Sequence, residues 1–203
     1  TLDLHRVFDH LPKGVVNIIT GSGSEVGDAL VQHPDVPCIA FTGSTAVGQH
    51  IYRLGAGRIK KLHLELGGSD AAIVCADCDL EAAVRAVAWT AFLNAGQVCT
   101  SAERVYVEQS IYGEFLERFA GLAKRLVVGP GMDERTEVTP LIGPRERDQV
   151  EARVSAARQE GAKVLAGGRR PPHLPKGWFY EPTVLADVRH GMSLLKEEIF
   201  GPL

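Results

Sequence analysis

Apolar positions fall into short blocks whose spacing alternates between the two-residue period of a strand and the roughly 3.6-residue period of a helix. Residues 14–23, GVVNIITGSG, are a β-branched run closed by glycines and predict a strand, and residues 25–33, EVGDALVQH, set Val26, Leu30 and Val31 at helical spacing. A second round follows: PCIAFTG (37–43) predicts a buried strand, and STAVGQHIYRLG (44–55) a helix opened by Ser44 or Thr45 and closed by Gly55. KKLHLELGG (60–68) and DAAIVCAD (70–77) predict two further strands. Such short strand–helix spacing makes βαβ units the expected arrangement.

From residue 79 the helical blocks lengthen. DLEAAVRAVAWTAFLN (79–94) combines a leading Asp, strong helix formers and an apolar face, which predicts a helix with an acidic first turn. ERVYVEQ (103–109) predicts a strand, SIYGEFLERFAGLAKRL (110–126) an amphipathic helix capped by Ser110, and PRERDQVEARVSAARQEG (144–161) a helix closed by Gly161. AKVLAGG (162–168) and YEPTVLADV (180–188) read as strands joined by the Pro- and Gly-rich surface loop 167–178. The expected class is α/β, with open parallel-type sheets and flanking helices.

Composition narrows the function classes. The chain has 203 residues, 45 % of them hydrophobic, which suffices for a sizeable core. A net charge of -3 gives no basic field, so nucleic acid is not the expected partner. No apolar run approaches the roughly 20 residues that span a bilayer, and TLDLHRVFDHLPKG lacks the apolar centre of a signal peptide; no membrane partner and a cytoplasmic location are expected. Cysteines at 38, 75, 78 and 99 form no disulfide framework of the small secreted kind, so reduced thiols are expected.

Several turns invite chemistry. GSGSEVG (21–27) is one residue longer than the dinucleotide fingerprint. GSTAVGQH (43–50) has the glycine spacing of a P-loop, yet Gln49 and His50 stand where Lys and Ser/Thr belong, which removes the triphosphate reading and leaves Gly43 and Ser44 as a strand-to-helix turn able to hold a pyrophosphate. Glu65 ends a strand, where open α/β sheets place ligands; burial beside apolar neighbours would raise its pKa and suit it to taking a proton from water. Cys99 follows a helix interrupted at Gly96, and its neighbours alone leave core filler, metal ligand and nucleophile all open. Cys75 and Cys78 have C-x-x-C spacing with no second ligand pair, so no metal site is expected.

FTGS, LELGG, GQVC and EEIFGP stand in order along the chain, and together they resemble the aldehyde dehydrogenase superfamily from about Gly14 to Pro202. The resemblance implies oxidation of an aldehyde to a carboxylic acid through a cysteine thiohemiacetal and thioester, with Cys99 as nucleophile and Glu65 as general base. It implies NAD or NADP as cofactor, NAD being the commoner choice: Gly43 and Ser44 would meet the pyrophosphate, Leu66 and Gly67 lie where the chain passes the nicotinamide, Glu198 would hold its ribose and Phe200 line its ring. The glycines at 21 and 23 then become mostly structural. Residues 1–67 are expected as part of a Rossmann-like cofactor domain and 68–203 as a catalytic domain cut short at its C-terminus. CTSAERVYV is somewhat like members acting on small hydroxyaldehydes such as lactaldehyde. A coenzyme A-acylating enzyme, a glutamyl phosphate reductase-like relative and a non-catalytic structural relative are the alternatives; the acylating and reductase-like branches usually depart at the glutamate that LELGG keeps. The full-length protein is expected to be a homodimer or homotetramer. Neither end of the chain looks finished, and the oxyanion Asn and the ribose-binding Lys precede its start in the family's pattern. The 203 residues alone are therefore expected to give no turnover when incubated with NAD and a panel of aldehydes, and robust NADH production would overturn that expectation.

Overall fold

The β-branched run at 15–20 forms no strand: it follows an irregular path, and Val15 and Ile19 stay exposed because no neighbouring strand supplies the hydrogen bonds and side-chain pairs that hold an extended run in a sheet. The structure, a computed structural model, describes residues 2–203. Thr1, the first residue of the expected cofactor domain, lies outside them. The chain divides into two compact units, residues 1–67 and 68–203.

In the first unit Ser22 caps a π-helical turn (Gly23–Gly27) that runs into helix α1 (Asp28–Gln32). Strand β1 (Cys38–Gly43), helix α2 (Thr45–Ala56) and strand β2 (Lys61–Leu66) then form a βαβ unit whose strands pair in parallel. Both strands alternate, with Ile39, Phe41, Leu62, Leu64 and Leu66 half-buried while Lys61, His63 and Glu65 are exposed, so β1 is half-covered rather than buried as its composition suggests. Helix α2 lies on the leucine face. Gly48 faces Leu66 so closely that a Cβ there would fall 2.5 Å from a leucine methyl, and Gly55 packs on Leu62. Gly55 is thus a packing residue inside the helix; the helix ends beyond it, at Gly57.

In the second unit strand β3 (Asp70–Val74), helix α3 (Leu80–Phe92) and strand β4 (Ala102–Val107) make another parallel pair. Asp79 caps α3 by accepting the Ala82 N–H at 3.1 Å. Helix α4 (Tyr112–Arg125) begins without a side-chain cap, contrary to the expectation for Ser110: the Ser110 hydroxyl donates to Glu108, and Ile111 is the first backbone acceptor. Helix α5 (Pro144–Gln159) follows, and Gly161 leaves it at φ +103. Strands β5 (Lys163–Ala166) and β6 (Val184–Ala186) pair antiparallel, an exception to the expected parallel type. Their connection, residues 167–183, crosses no helix and simply doubles back. The architecture is α/β, built on small sheets.

The core of this unit packs α3 and α4 on β3 and β4. Phe119 stacks on Phe92 at 5.9 Å between ring centroids and on Phe115 at 5.5 Å, and all three are buried. Leu141, Val150, Val154 and Tyr180 form a second cluster, and Ala157, Met192, Leu194 and Ile199 a third. Truncating the central ring, Phe119→Ala, is expected to destabilise the fold by about 3–5 kcal/mol. Urea denaturation should show the midpoint falling with its slope unchanged.

Candidate active site

The register of the first parallel pair sets Gly43 opposite Leu66 and Thr42 opposite Glu65. Gly43, Ser44, Glu65, Leu66 and Gly67 therefore share the carboxyl edge of β1 and β2, the edge that parallel sheets offer to ligands. Ser44 is the N-cap of α2: its hydroxyl accepts the Val47 N–H at 3.4 Å and its carbonyl the first helical bond, from Gly48, at 3.0 Å. The remaining first-turn N–H groups point out of the helix start, as in any helix. Of the P-loop spacing, Gly48 belongs to the packing against Leu66, and His50 binds Asp28 of α1, with 3.0 Å between Nε2 and the carboxylate. Glu65 is not buried. Its side chain is 65 % exposed on the outer face of β2, 3.1 Å from Nε2 of His63 two residues earlier on the same face. The two-residue period of the strand sends the leucines inward and this carboxylate outward.

In the second unit the chain leaving α3 turns through three consecutive left-handed residues, Asn94 (φ 52), Ala95 (φ 57) and Gly96 (φ 70). The first two lack glycine's freedom, so each stores roughly 1–3 kcal/mol of strain that surrounding contacts must outweigh. The contacts are specific. Asn94 Nδ2 donates to the Gln97 carbonyl at 3.1 Å, and Gln97 Nε2 returns a bond to the Asn94 carbonyl at 3.0 Å. Gln97 Oε1 accepts the Ile142 N–H at 2.8 Å. Beyond this brace the Ser101 N–H closes a turn on the Val98 carbonyl at 3.0 Å, which leaves Cys99 exposed at the turn's corner, while buried Ser101 donates to the Thr90 carbonyl at 3.2 Å. Cys99 is thus neither core filler nor, among the described residues, part of a metal-binding cluster.

The same unit brings the EEIFGP segment against this loop. A Cβ on Gly96 would fall 2.0 Å from the Gly201 carbonyl oxygen, so the two backbones meet with no side chain between them. Ile199 is buried, and Phe200, 39 % exposed, is itself left-handed at φ 50. Glu198 is half-buried beside them. Glu103, at the start of β4, accepts the N–H groups of Ile199 at 2.9 Å and Phe200 at 3.0 Å through Oε1. Burial pushes the Glu103 carboxyl above the usual carboxylate range; the Phe200 and Ile199 N–H groups oppose this, as does the Ser69 side chain, while the Glu198 charge adds to it. Arg104 donates from Nε to the Ser69 carbonyl at 3.0 Å.

Periodicity missed Asn94, Gln97, Ser101 and Glu103. The one available signal was polar: two amides around a glycine after an apolar helix, and a Glu-Arg pair at the start of the strand that follows the cysteine.

Comparison with known proteins finds similarity along nearly the whole chain. The model of the aldehyde dehydrogenase family matches residues 2–203. A betaine aldehyde dehydrogenase of Bacillus subtilis is 43 % identical over 195 residues, covering 95 % of this chain and 40 % of that protein. A D-glyceraldehyde dehydrogenase (NADP(+)) of Picrophilus torridus is 42 % identical over 196 residues, again 95 % of this chain and 39 % of its own length. Among solved structures, betaine aldehyde dehydrogenase from Staphylococcus aureus in complex with NAD+ superposes with a TM-score of 0.93 at 36 % identity, covering 99 % of this chain and 40 % of that one. The chain spans about 40 % of the length of such relatives.

Two outcomes follow from the loop geometry. Gly96→Ala should lose roughly 1–3 kcal/mol from backbone strain alone, with the Gly201 clash in addition, whereas Gly113→Ala, which meets nothing within 4 Å in α4, should be neutral or stabilising; urea denaturation of both variants checks this. Because the folded-state pKa of Glu103 is raised, its contribution to stability is complete below the unfolded carboxylate value and is lost as pH rises through the folded value. Glu103→Gln should flatten that part of the stability–pH profile.

Proposed function

Since the chain belongs to the aldehyde dehydrogenase family, we propose that the protein oxidises an aldehyde to a carboxylic acid with NAD or NADP, using Cys99 as nucleophile and Glu65 as general base. The observation that carries this reading is the exposure of Cys99 at the corner of a turn stiffened by the Asn94–Gln97 brace. A sulfur so held meets an incoming carbonyl without rearrangement of the chain.

In this reading residues 1–67 belong to the dinucleotide-binding domain and 68–203 to the catalytic domain. The residues present suit such a cofactor. The start of α2, twelve residues long and opened by Gly43 and Ser44, offers N–H groups and the positive end of a helix dipole to a pyrophosphate. Leu66 and Gly67 follow the same strand edge. Glu198 supplies a carboxylate for ribose hydroxyls, and the partly exposed ring of Phe200 an apolar wall for the nicotinamide. When bound, the nicotinamide supplies a two-electron acceptor for the aldehyde hydrogen. NAD+ is bound in the Staphylococcus aureus relative and NADP(+) stands in the name of the Picrophilus torridus one, so both remain in the proposal.

The chain's own residues account for the rest. The Cys99 thiolate forms a C–S bond to the carbonyl carbon, and the backbone N–H of Cys99 holds the resulting oxyanion. After oxidation the acyl group is a thioester on the same sulfur. Glu65, solvent-facing on β2, takes a proton from water; the hydroxide adds to the acyl carbon, the C–S bond breaks, and the thiolate returns. A thiol serves both halves because it is nucleophilic near neutral pH and a good leaving group from an acyl carbon.

The test uses the full-length protein with aldehyde and NAD(P). Cys99→Ala is expected to abolish turnover, and Glu65→Gln to lower kcat by about 10²–10⁴-fold while an acyl adduct on Cys99 accumulates in the mass spectrum. Turnover surviving in Cys99→Ala would defeat the reading. So would an adduct that clears only when coenzyme A is added.

A further inference from the structure

Glu103 is a half-buried carboxylate that the proposed chemistry leaves without a task, and burial raises its pKa, which makes its charge costly to keep. Glu103 lies on the wall of a cavity of about 230 Å³ that Phe92, Phe119, Leu194, Ile199 and Leu203 also line. Its Oε2 is buried with no partner at hydrogen-bond distance among the described residues, although the Ser69 side chain lies close enough to favour the ionised carboxyl. A buried oxygen left this way works against the fold. What the carboxyl does achieve is local: Oε1 accepts two consecutive N–H groups, those of Ile199 and Phe200.

Those two groups lie at the most strained point of the segment. Phe200 is left-handed, a conformation that a bulky side chain avoids. On either side the chain is held by other means. Arg153 donates to the Ile199 carbonyl at 2.8 Å, the Pro202 carbonyl accepts the Thr183 N–H at 2.8 Å, and Gly201 presses on Gly96. These contacts fix the carbonyl side and the exit of the turn. Among the described residues, Glu103 alone accepts the Ile199 and Phe200 N–H groups, where the chain passes from buried Ile199 to the partly exposed ring of Phe200. Glu103 also lies four residues after Cys99, on the strand that leaves the cysteine turn.

We propose that Glu103 is a positioning residue for the dinucleotide: by accepting the Ile199 and Phe200 N–H groups it holds the left-handed turn that presents the Glu198 carboxylate and the Phe200 ring to the nicotinamide riboside. This rests on the assignment of Glu198 and Phe200 to that cofactor. Glu103 touches neither cofactor nor substrate. Its effect is therefore on dinucleotide affinity and not on attack by Cys99 at saturating cofactor. The hydrogen-bond acceptor, at its present reach, is the required feature, and the negative charge is dispensable.

Two substitutions in the full-length protein separate reach from charge. Glu103→Gln keeps an oxygen at the same distance without the charge; Glu103→Asp keeps the charge and withdraws the oxygen by one methylene. Dinucleotide dissociation constants measured by protein fluorescence, with KM for cofactor and for aldehyde, are the readouts, and Glu198→Ala is measured beside them. Glu103→Asp is expected to raise the dinucleotide Kd and KM about tenfold, the scale of one lost net hydrogen bond, with aldehyde KM changed less than about twofold and kcat at saturating dinucleotide retained. Glu103→Gln is expected to stay within about threefold of the parent protein in Kd. The proposal is overturned if Asp preserves affinity while Gln loses it, for charge would then be the active feature. It is equally overturned if both variants leave Kd unchanged and only lower the unfolding midpoint. If Glu198→Ala leaves dinucleotide affinity intact, the cofactor assignment itself fails, a result distinct from either of the others.

Discussion

The close approach of Gly96 and Gly201 is the constraint on which the second unit's site depends. Two backbones separated in sequence by the whole of β4, α4, α5, β5 and β6 touch where even a methyl group has no room. On one side of that contact the chain carries the turn with Cys99; on the other it carries Glu198 and Phe200. Because the contact is steric and between main-chain atoms, it leaves little play between the two segments.

Such a contact requires unusual backbone. Asn94, Ala95 and Phe200 all lie in the left-handed region without being glycine. Each is unfavourable by roughly 1–3 kcal/mol, so the surroundings must over-determine the path. They do so by reciprocal hydrogen bonds from the Asn94 and Gln97 side-chain amides to each other's carbonyls, by the anchoring of Ser101 on Thr90, and by burial of Ile199 in a cluster with Ala157, Met192 and Leu194. Strain, braces and an exposed thiol occur together here, and the packed aromatic core of Phe92, Phe115 and Phe119 stands behind them.

The first unit uses different physics. Its residues of interest, Gly43, Ser44, Glu65, Leu66 and Gly67, gather because parallel register aligns the carboxyl ends of β1 and β2. Gly48 and Gly55 let α2 settle on the leucine face, which leaves the helix start at the same edge. None of these positions has a left-handed backbone, and with α2 on the leucine face the alternation of β2 turns Glu65 to solvent beside His63.

The sequence by itself determined the local elements and the identities of the chemical groups. A helix opened at Ser44 or Thr45, a helix led by Asp79, the two βαβ units and a helix closed at Gly161 follow from side-chain period and from turn chemistry, both of which act within a few residues, whereas the end of α2 beyond Gly55 does not. The order of FTGS, LELGG, GQVC and EEIFGP was enough to resemble a family. Tertiary structure alone decided the rest. Whether residues 15–20 become a strand depends on a partner beside them, and whether Ser110 caps a helix depends on the turn that reaches it first. The outward face of Glu65 depends on which side of β2 the helix covers. The bond from Glu103 to residues 199 and 200 spans 96 and 97 positions, a distance at which no local pattern carries information. Period and propensity describe how a segment sees water and itself; a contact between distant segments exists only once the chain has folded back to make it.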